Sequence, residues 1–395
     1  MSGFRKSTLK QGLLGVRKLH LGLDEHLSSF RSMSKKPMLF NLDLHISVMR
    51  DLQQEFSSCN FRTIRWSISG SNQFARSIYK ISDPVDVINA QTWSQLDDDL
   101  ISEFESRYQN FLSKFDGFVV THTPAFSQLY RSFGKPILLI NSTRYEAPYT
   151  KDENKWKTLD NYLNNGVKTD KVLLVSNNVG DADYLKHRTG IESEVVPSLC
   201  DYTDLHWMPG GTQKVIISRS PELEDYIERF TFGEWVGIRK VMGKNYSWNQ
   251  YLQIKEVLYI PYNISTMTLF ELATAGVPVS VPSIDFTKEL SKSFSGVLSE
   301  LSYFQLNELP VIGLDNEDPN NYLSEKFKDW WLARADFYNS DLMPNVRIIS
   351  GFNELMQEPS ISDLQKDNYH SLIESRNDVI RKKRQNLVSR FSSML

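Results

Sequence analysis

The sequence predicts an α/β protein built from two doubly wound units that face each other across a cleft. In residues 37–198, short apolar runs alternate with segments whose apolar residues recur at helical spacing. This alternation is typical of parallel strands joined by right-handed βαβ connections. It stops in residues 200–213, where a Pro-Gly-Gly sequence indicates an interdomain linker. It then resumes, so we expect a second unit of the same kind.

The first unit is predicted to contain five buried strands and a short strand-like return. These are the apolar runs at 37–46, 61–69, 117–121, 137–141 and 172–178, with the return at 194–198. Helices are predicted between them at 48–56, 92–115, 126–134 and 154–164. Ser47 is placed to cap the first of these helices and Gly134 to end the third. Residues 72–90 have no clear pattern.

The second unit continues the alternation and ends in helical sequence. Strands are predicted at 214–217, 234–238 and 257–260, and helices at 221–230 and 248–254. Beyond Leu301 the pattern is helical. We therefore divide the chain into a basic leader, a first domain, a second domain and a basic terminal helix, at 1–36, 37–205, 206–365 and 366–395.

Residues 260–283 predict a strand, a loop, a short helix and a further strand. Ser265 or Thr266 is placed to cap the helix, and Gly276 to end it, because glycine takes a positive φ without strain. A helix that begins beyond the carboxyl end of a strand directs its free N–H groups and dipole at an anion. Glu271, one turn further, could accept hydrogen bonds from the hydroxyl groups of a sugar. The alternative is an ordinary βαβ turn without a ligand.

Composition favours an ordinary globular protein. The net charge is −3, which disfavours a dedicated nucleic-acid binder without excluding one. Cys59 and Cys200 lie far apart and indicate free thiols in a reducing, cytoplasmic compartment. No apolar run is long enough to span a membrane. The basic leader at 1–36 could be an amphipathic helix in peripheral contact with a membrane, or a docked or disordered leader.

Several common motifs are missing from the sequence. There is no G-x-G-x-x-G, no G-x-x-x-x-G-K-[ST], no G-x-S-x-G and no H-E-x-x-H. A dinucleotide oxidoreductase, a P-loop hydrolase, an α/β-hydrolase and a zinc protease are therefore unsupported. The acidic run at 97–99 is interpreted as the solvated face of a long helix, not as a metal site. We expect no metal and no cofactor.

Residues 260–283 resemble the donor-site segment of the GT-B glycosyltransferases, especially the retaining group called family 4. The matching residues are Glu271, Ala273, Ala275, Gly276, Pro278 and Val279. Residues 171–201 and the sequence around Arg219 are similar to two further segments of that family, in the same order. The resemblance implies two Rossmann-like domains facing across a cleft and a nucleotide-sugar donor bound without a metal.

The sequence departs from the family in three places. Asn263 stands eight residues before Glu271, where the retaining family has a carboxylate. The lysine that follows the phosphate-binding arginine is missing after Arg219. The first strand leads into Asp43 and His45 instead of a glycine-rich turn. Retention and inversion of the sugar configuration both stay open.

The resemblance and the strand-exit positions together suggest roles for individual residues. For the donor, we expect the diphosphate to contact basic side chains and the helix N-terminus, and Glu271 to bind the ribose. The other donor-binding candidates are Arg219, Arg239, Lys240, Asn263, Ser265 and Thr266. A general base on the acceptor hydroxyl is expected from His122, Asp43 or His45, and acceptor contacts from Arg144 and Glu146. The alternatives are solvated surface charges, simple helix capping and histidines bonded to neighbouring backbone.

The predicted function is transfer of a sugar from a nucleotide-sugar to a hydroxyl group of a glycan or lipid-linked saccharide. One alternative is a glycosyltransferase that modifies hydroxymethylated bases in DNA, which would need a basic cleft and salt-sensitive binding. Another is a non-catalytic GT-B-like binding protein, which the asparagine at 263 would favour. The protein is expected to be cytoplasmic, either soluble or peripherally associated with a membrane.

Overall fold

The computed structural model describes residues 36–44, 46–68, 87–243, 248–357 and 363–395. Within these described residues, the first domain contains six strands: β1 (Met38–Asp43), β2 (Arg62–Ser67), β3 (Gly117–Val120), β4 (Ile137–Asn141), β5 (Val172–Ser176) and β6 (Glu194–Val195). They form one parallel sheet in the order β2-β1-β3-β4-β5-β6. Its helices are α1 (Ile46–Asp51), α2 (Gln53–Ser58), α3 (Asp98–Leu112), α4 (Glu153–Lys168) and α5 (Val179–Thr189).

The second domain contains a separate parallel sheet. Its strands are β7 (Gln213–Ile217), β8 (Trp235–Gly237), β9 (Ile254–Tyr259), β10 (Val279–Pro282) and β11 (Val346–Ile349). The spatial order is β11-β10-β9-β7-β8. The helices are α6 (Pro221–Phe230), α7 (Ile238–Met242), α8 (Met267–Ala275), α9 (Ile284–Ser293), α10 (Tyr303–Leu306), α11 (Lys326–Leu332) and α12 (Asp363–Ser392). The two parallel sheets confirm the predicted α/β fold class.

Burial of the central strands explains why the apolar runs predicted them. Every residue of β1, β3 and β4 is buried. A parallel sheet is covered by helices on both faces, so its strands are apolar along their whole length and do not alternate. On one face, Phe118 stacks on Tyr130 with ring centroids 4.1 Å apart. The other face packs against α12.

Helix α12 connects the two domains. Near its beginning, Tyr369 Oη donates to Gly276 O in the second domain at 3.0 Å. Near its end, Leu387, Val388 and Phe391 join the core under the first sheet. The predicted terminal helix is therefore present, and it packs on both domains. The predicted domain boundary at 205/206 falls between the last strand of the first sheet and the first strand of the second.

Several predicted helices differ from the structure. The segment predicted at 92–115 contains a 3₁₀ turn at Trp93–Gln95 and then α3, because Leu96 leaves the helical conformation. The acidic run starts this helix, and Asp97 caps it by accepting from Leu100 N at 2.9 Å. The segment predicted at 248–254 is the 3₁₀ helix Trp248–Gln253, and Ser47 lies inside α1 instead of capping it.

One further predicted helix differs from the structure, and one strand was not predicted. The segment predicted at 126–134 is the 3₁₀ helix Pro124–Phe133, which ends as expected at Gly134 with φ 61°. Strand β11 was missed within sequence interpreted as helical. In the described part of the chain, no helix combines the length and the apolar character that crossing a bilayer requires.

Candidate functional site

A cavity of about 410 Å³ lies between the carboxyl ends of the two sheets. The first domain contributes residues that follow β1, β3, β4 and β5: Leu44, Val48, His122, Ser142, Thr143, Arg144 and Asn177. The second domain contributes Arg219, Tyr262, Asn263, Ser265, Thr266, Met267, Thr268, Glu300, Ser302, Tyr303 and Leu306. Parallel α/β sheets bind ligands beyond the carboxyl ends of their strands, so this interdomain cavity is the candidate site.

The N-terminus of α8 forms one wall of the cavity. Thr266 is the N-cap residue, and its Oγ1 accepts from Leu269 N at 3.4 Å. Met267 and Thr268, the first two helical residues, also line the cavity. Their backbone N–H groups belong to the first turn of the helix and therefore have no acceptor within it. The positive end of the helix dipole also lies here. The helix ends at Gly276 with φ 74°, as its sequence predicted.

Arg219 stands at the edge of the same cavity, two residues after β7. Its guanidinium lies 3.5 Å above the ring centroid of Tyr262, which fixes its direction. Its Nη1 donates to Glu300 Oε1, and both side chains are partly exposed. Glu300 therefore orients the guanidinium that an incoming anion would contact, and its carboxylate would compete with that anion.

Arg144 links the two domains inside the site. It is buried, and its Nη1 donates to Asp181 Oδ1 at 2.9 Å in its own domain. Across the domain boundary, Nη2 donates to Asn263 Oδ1 at 2.6 Å and Nε to Leu301 O at 2.7 Å. The guanidinium also lies 4.3 Å from the ring centroid of Trp331. Asn263 stands where the family resemblance implies a carboxylate. Its side chain thus accepts a hydrogen bond across the domain interface.

His122 is the candidate base that reaches the cavity from the first domain. Its Nδ1 lies 3.1 Å from Thr123 Oγ1, and its backbone N–H donates to Asp43 Oδ2 at 2.8 Å. Asp43 does not line the cavity. It is buried, and it also accepts from Thr121 N at 2.6 Å and Leu44 N at 2.7 Å. Burial raises the pKa of Asp43 to about 6.

Of the two predicted catalytic residues that the structure describes, His122 lines the cavity and Asp43 does not. Asp43 positions the loop that carries His122, because both of its carboxylate oxygens accept backbone hydrogen bonds. This correction follows from the parallel register of β1 and β3, whose ends lie side by side. His45 lies outside the described residues.

Glu271 faces the interdomain linker. Tyr202 Oη donates to Glu271 Oε1 at 2.5 Å, and the guanidinium of Arg50 lies 4.8 Å from the ring centroid of Tyr202. Burial raises the pKa of Glu271 to about 8. Glu271 does not line the cavity, although Met267 and Thr268, one turn earlier on α8, do. Its predicted role as a ribose ligand stays a prediction.

The raised pKa of Glu271 predicts a pH-dependent stability. The folded protein holds a proton on Glu271 up to a pH of about 8, whereas the unfolded chain releases it near 4.5. The free energy of unfolding should therefore fall as pH rises between these values. Glu271→Gln, which mimics the neutral form, should make this slope shallower in urea titrations. Glu289→Gln, at an exposed position on α9, is the control and should leave the slope of the parent protein unchanged. Equal slopes for parent and Glu271→Gln would contradict the assignment.

Three other predicted residues do not reach the cavity. Lys240 Nζ contacts Asp225 Oδ1 at 3.0 Å and Glu228 Oε2 at 2.8 Å on α6, and its neighbour Arg239 is exposed. Glu146 is buried beneath the first domain's loops, and its Oε1 accepts from Tyr184 Oη at 3.1 Å. Burial raises the pKa of Glu146 to about 7. The partners of these residues come from other elements, so neighbouring sequence did not reveal them.

The cavity residues that sequence reasoning missed include four polar side chains with contacts in the site: Tyr262, Glu300, Tyr303 and Thr143. The ring of Tyr262 stacks against the guanidinium of Arg219, and Glu300 accepts a hydrogen bond from that guanidinium. The Tyr303 hydroxyl lies 3.2 Å from Thr143 Oγ1 across the cleft. Tyr262 had a usable signal, since it follows Pro261 in the loop after a predicted strand. Thr143 had the same kind of signal, since it stands beside Arg144 in the loop after the strand at 137–141. Glu300 and Tyr303 had none, because they meet the site only through the packing of the domains.

The comparisons with known proteins give weak similarities. No family model and no curated protein matches the chain. Solved structures similar to it include the glycotransferase of kitacinnamycin, at 11% identity over 91% of this chain and 100% of that chain, with a TM-score of 0.47. Spinosyn forosaminyltransferase SpnP has 10% identity over 91% and 99%, with a TM-score of 0.42. Glycosyltransferase VinC in complex with dTDP has 8% identity over 91% and 96%, with a TM-score of 0.31. Similarity at this level does not assign a family.

Proposed function

We propose that this chain is a GT-B glycosyltransferase that binds a nucleotide-sugar in the interdomain cavity. The observation that carries the proposal is the meeting of Arg219 and the N-terminus of α8 on one cavity between two parallel α/β domains. The free N–H groups of Met267 and Thr268 and the guanidinium of Arg219 together suit a diphosphate. A nucleoside diphosphate is the leaving group of a nucleotide-sugar.

The positive groups also supply the chemistry that sugar transfer needs. Negative charge grows on the departing diphosphate in the transition state, and fixed donors aimed at it lower the barrier. We propose that Arg219 and the helix terminus provide this stabilisation and that a metal is not needed for it. Glu271 would bind the ribose after giving up the hydrogen bond that it now accepts from Tyr202.

The first domain would bind the acceptor. His122 lies on that side of the cavity and is held by Asp43 through its backbone N–H. We propose that His122 takes the proton of the attacking hydroxyl group, and that the acceptor is a glycan or a lipid-linked saccharide. The free thiols of Cys59 and Cys200 suit a reducing, cytoplasmic compartment. A relationship to the retaining family 4 rests on the resemblance of residues 260–283, of residues 171–201 and of the sequence around Arg219.

A non-catalytic nucleotide-binding protein is the second candidate. Asn263 stands where the family resemblance implies a carboxylate, and its side chain accepts a hydrogen bond from Arg144. Glu300 is paired with Arg219. These contacts favour a cleft that binds a nucleotide without transferring its sugar. Measuring sugar release from UDP- and dTDP-sugars separates the two candidates. The enzyme should release sugar, and His122→Ala should slow it without changing donor affinity.

Arg219→Ala should weaken binding of UDP and dTDP by about tenfold to a hundredfold, the usual contribution of a charge-assisted hydrogen bond. Glu300→Gln should tighten binding, because it removes the carboxylate that competes with the diphosphate. Isothermal titration calorimetry measures both effects.

Lys240→Ala is the matched control for the loss of a positive charge. It removes a basic residue that pairs with α6 outside the cavity, so the affinity for both nucleotides should not change. Equal affinities for the parent and Arg219→Ala, or equal losses in Arg219→Ala and Lys240→Ala, would refute the donor site.

A further inference from the structure

A second cavity, of about 550 Å³, lies between α12 and both domains. The first domain contributes Val179, Val195 and Pro197, and α12 contributes Leu372, Ser375, Arg376, Val379, Ile380 and Lys383. The remaining wall comes from residues 336–344 of the second domain. None of these residues lines the interdomain cavity, so the second cavity is a separate space.

The lining of this second cavity includes exposed apolar side chains. Val179, Leu372 and Val379 all line it, and their side chains are 40%, 55% and 54% exposed. Leu342 and Ile380 continue the same wall. Large apolar side chains that stay open to solvent in one concave surface suit the hydrocarbon part of a ligand.

The lining also includes two buried polar groups with unused hydrogen-bonding capacity, Arg376 and Asp336. Arg376 is 5% exposed and donates through Nε to Leu342 O at 3.0 Å and through Nη1 to Thr274 Oγ1 at 2.7 Å. Its Nη2 has no hydrogen-bond partner among the described residues, and neither has Asp336 Oδ2. Leaving a buried charged donor unsatisfied is costly, which favours a ligand that would complete it.

The charges around the second cavity favour an anion. Arg376 and Lys383 are cationic, and Asp341 is the opposing carboxylate on the wall. Burial raises the pKa of Asp336 to about 8, so this group is largely neutral near pH 7 and can donate a hydrogen bond. The balance of fixed charge is therefore positive on the side of α12.

We propose that the second cavity binds a small amphiphilic anion. Its carboxylate or phosphate head would contact Arg376 and Lys383, and its hydrocarbon chain would lie against Leu372 and Val379. The proposal does not depend on sugar transfer, because none of these residues lines the interdomain cavity.

Titration calorimetry of the full chain with octanoate tests this site, with octan-1-ol and acetate as probes that lack the charge or the chain. Octanoate should bind at least tenfold more tightly than either. Octanol binding as tightly as octanoate would overturn the anionic part of the proposal, and acetate binding as tightly would overturn the apolar part. No measurable binding of octanoate would overturn the whole proposal.

Variants locate the binding of the probe. Val379→Glu places a negative charge at a half-exposed position of the wall and should reduce octanoate affinity at least tenfold. Ser371→Glu adds the same charge at an exposed position of α12 that does not line the cavity, and should retain binding. Arg219→Ala, in the interdomain cavity, should also retain it. Undiminished binding in Val379→Glu, or loss in Arg219→Ala, would refute the assignment.

Discussion

Arg384→Met should lower the free energy of unfolding by about 3–5 kcal/mol, the usual cost of removing one partner of a buried ion pair. Arg384 Nε donates to Glu55 Oε1 at 2.6 Å, and Nη1 to Asp51 Oδ2 at 2.5 Å. All three side chains are almost fully buried. Asp51 also accepts from Cys200 N at 2.5 Å in the interdomain linker. Methionine would fill much of the space but leave two buried carboxylates uncompensated.

Arg390→Met is the matched control for this experiment. Arg390 lies on the same helix and also pairs with the first domain, where its Nη1 is 2.5 Å from Glu194 Oε2. That pair is exposed, at 53% and 46% of the two side chains. Exposed pairs contribute between zero and about 1 kcal/mol, so this variant should unfold near the denaturant concentration of the parent. Similar losses in both variants would mean that burial is not the cause.

The sequence predicted the strands and helices whose structure depends mainly on the residues of a single segment. Strands buried on both faces are continuous apolar runs, so the central strands of both sheets were predicted. The helix that begins at Thr266 and ends at Gly276 was also predicted, because its cap and its terminating glycine are local signals. Strand β11 escaped because it is a four-residue strand at the edge of its sheet and only one of its residues is buried.

Side-chain partners were less predictable, because they come from distant parts of the chain. Arg384 bonds to Glu55, 329 residues away. Lys240 was expected to face the donor, but two acidic residues on α6 hold it elsewhere. Sequence spacing does not reveal such pairs across elements. Of the candidate residues, His122, Arg144, Arg219, Asn263, Ser265 and Thr266 line the cavity between the domains, whereas Asp43, Glu146, Arg239, Lys240 and Glu271 do not.

The position of Asn263 depends on the same kind of distant contact. The sequence marked it as a departure from the family pattern, and the structure gives it a partner in Arg144, 119 residues away. A carboxylate there would face the same guanidinium, so the asparagine keeps the interface bond without adding a charge. The hydrogen bond between Arg144 and Asn263 therefore joins the two domains, and both of its residues also line the cavity between them.

Arg144→Met should cost about 3–5 kcal/mol of stability and should also weaken nucleotide binding. The change leaves Asp181 buried without its cation and removes the donors to Asn263 Oδ1 and Leu301 O. Both side chains of the ion pair are almost fully buried, at 3% and 1% exposure. Because Asn263 lines the interdomain cavity, loosening it should disturb the diphosphate site as well.

Arg334→Met is a close control, because Arg334 also pairs with a carboxylate of α5 and also lies over a tryptophan ring. Its Nε lies 2.7 Å from Asp183 Oδ2 on α5, and its guanidinium lies 4.1 Å from the ring centroid of Trp330. The pair is 29% and 43% exposed, so water can solvate the remaining carboxylate and the loss should stay near 1 kcal/mol. Urea unfolding and calorimetry with UDP compare the two variants. If the two variants lose equal stability and equal affinity, burial of the Arg144 contacts is not the cause of the losses.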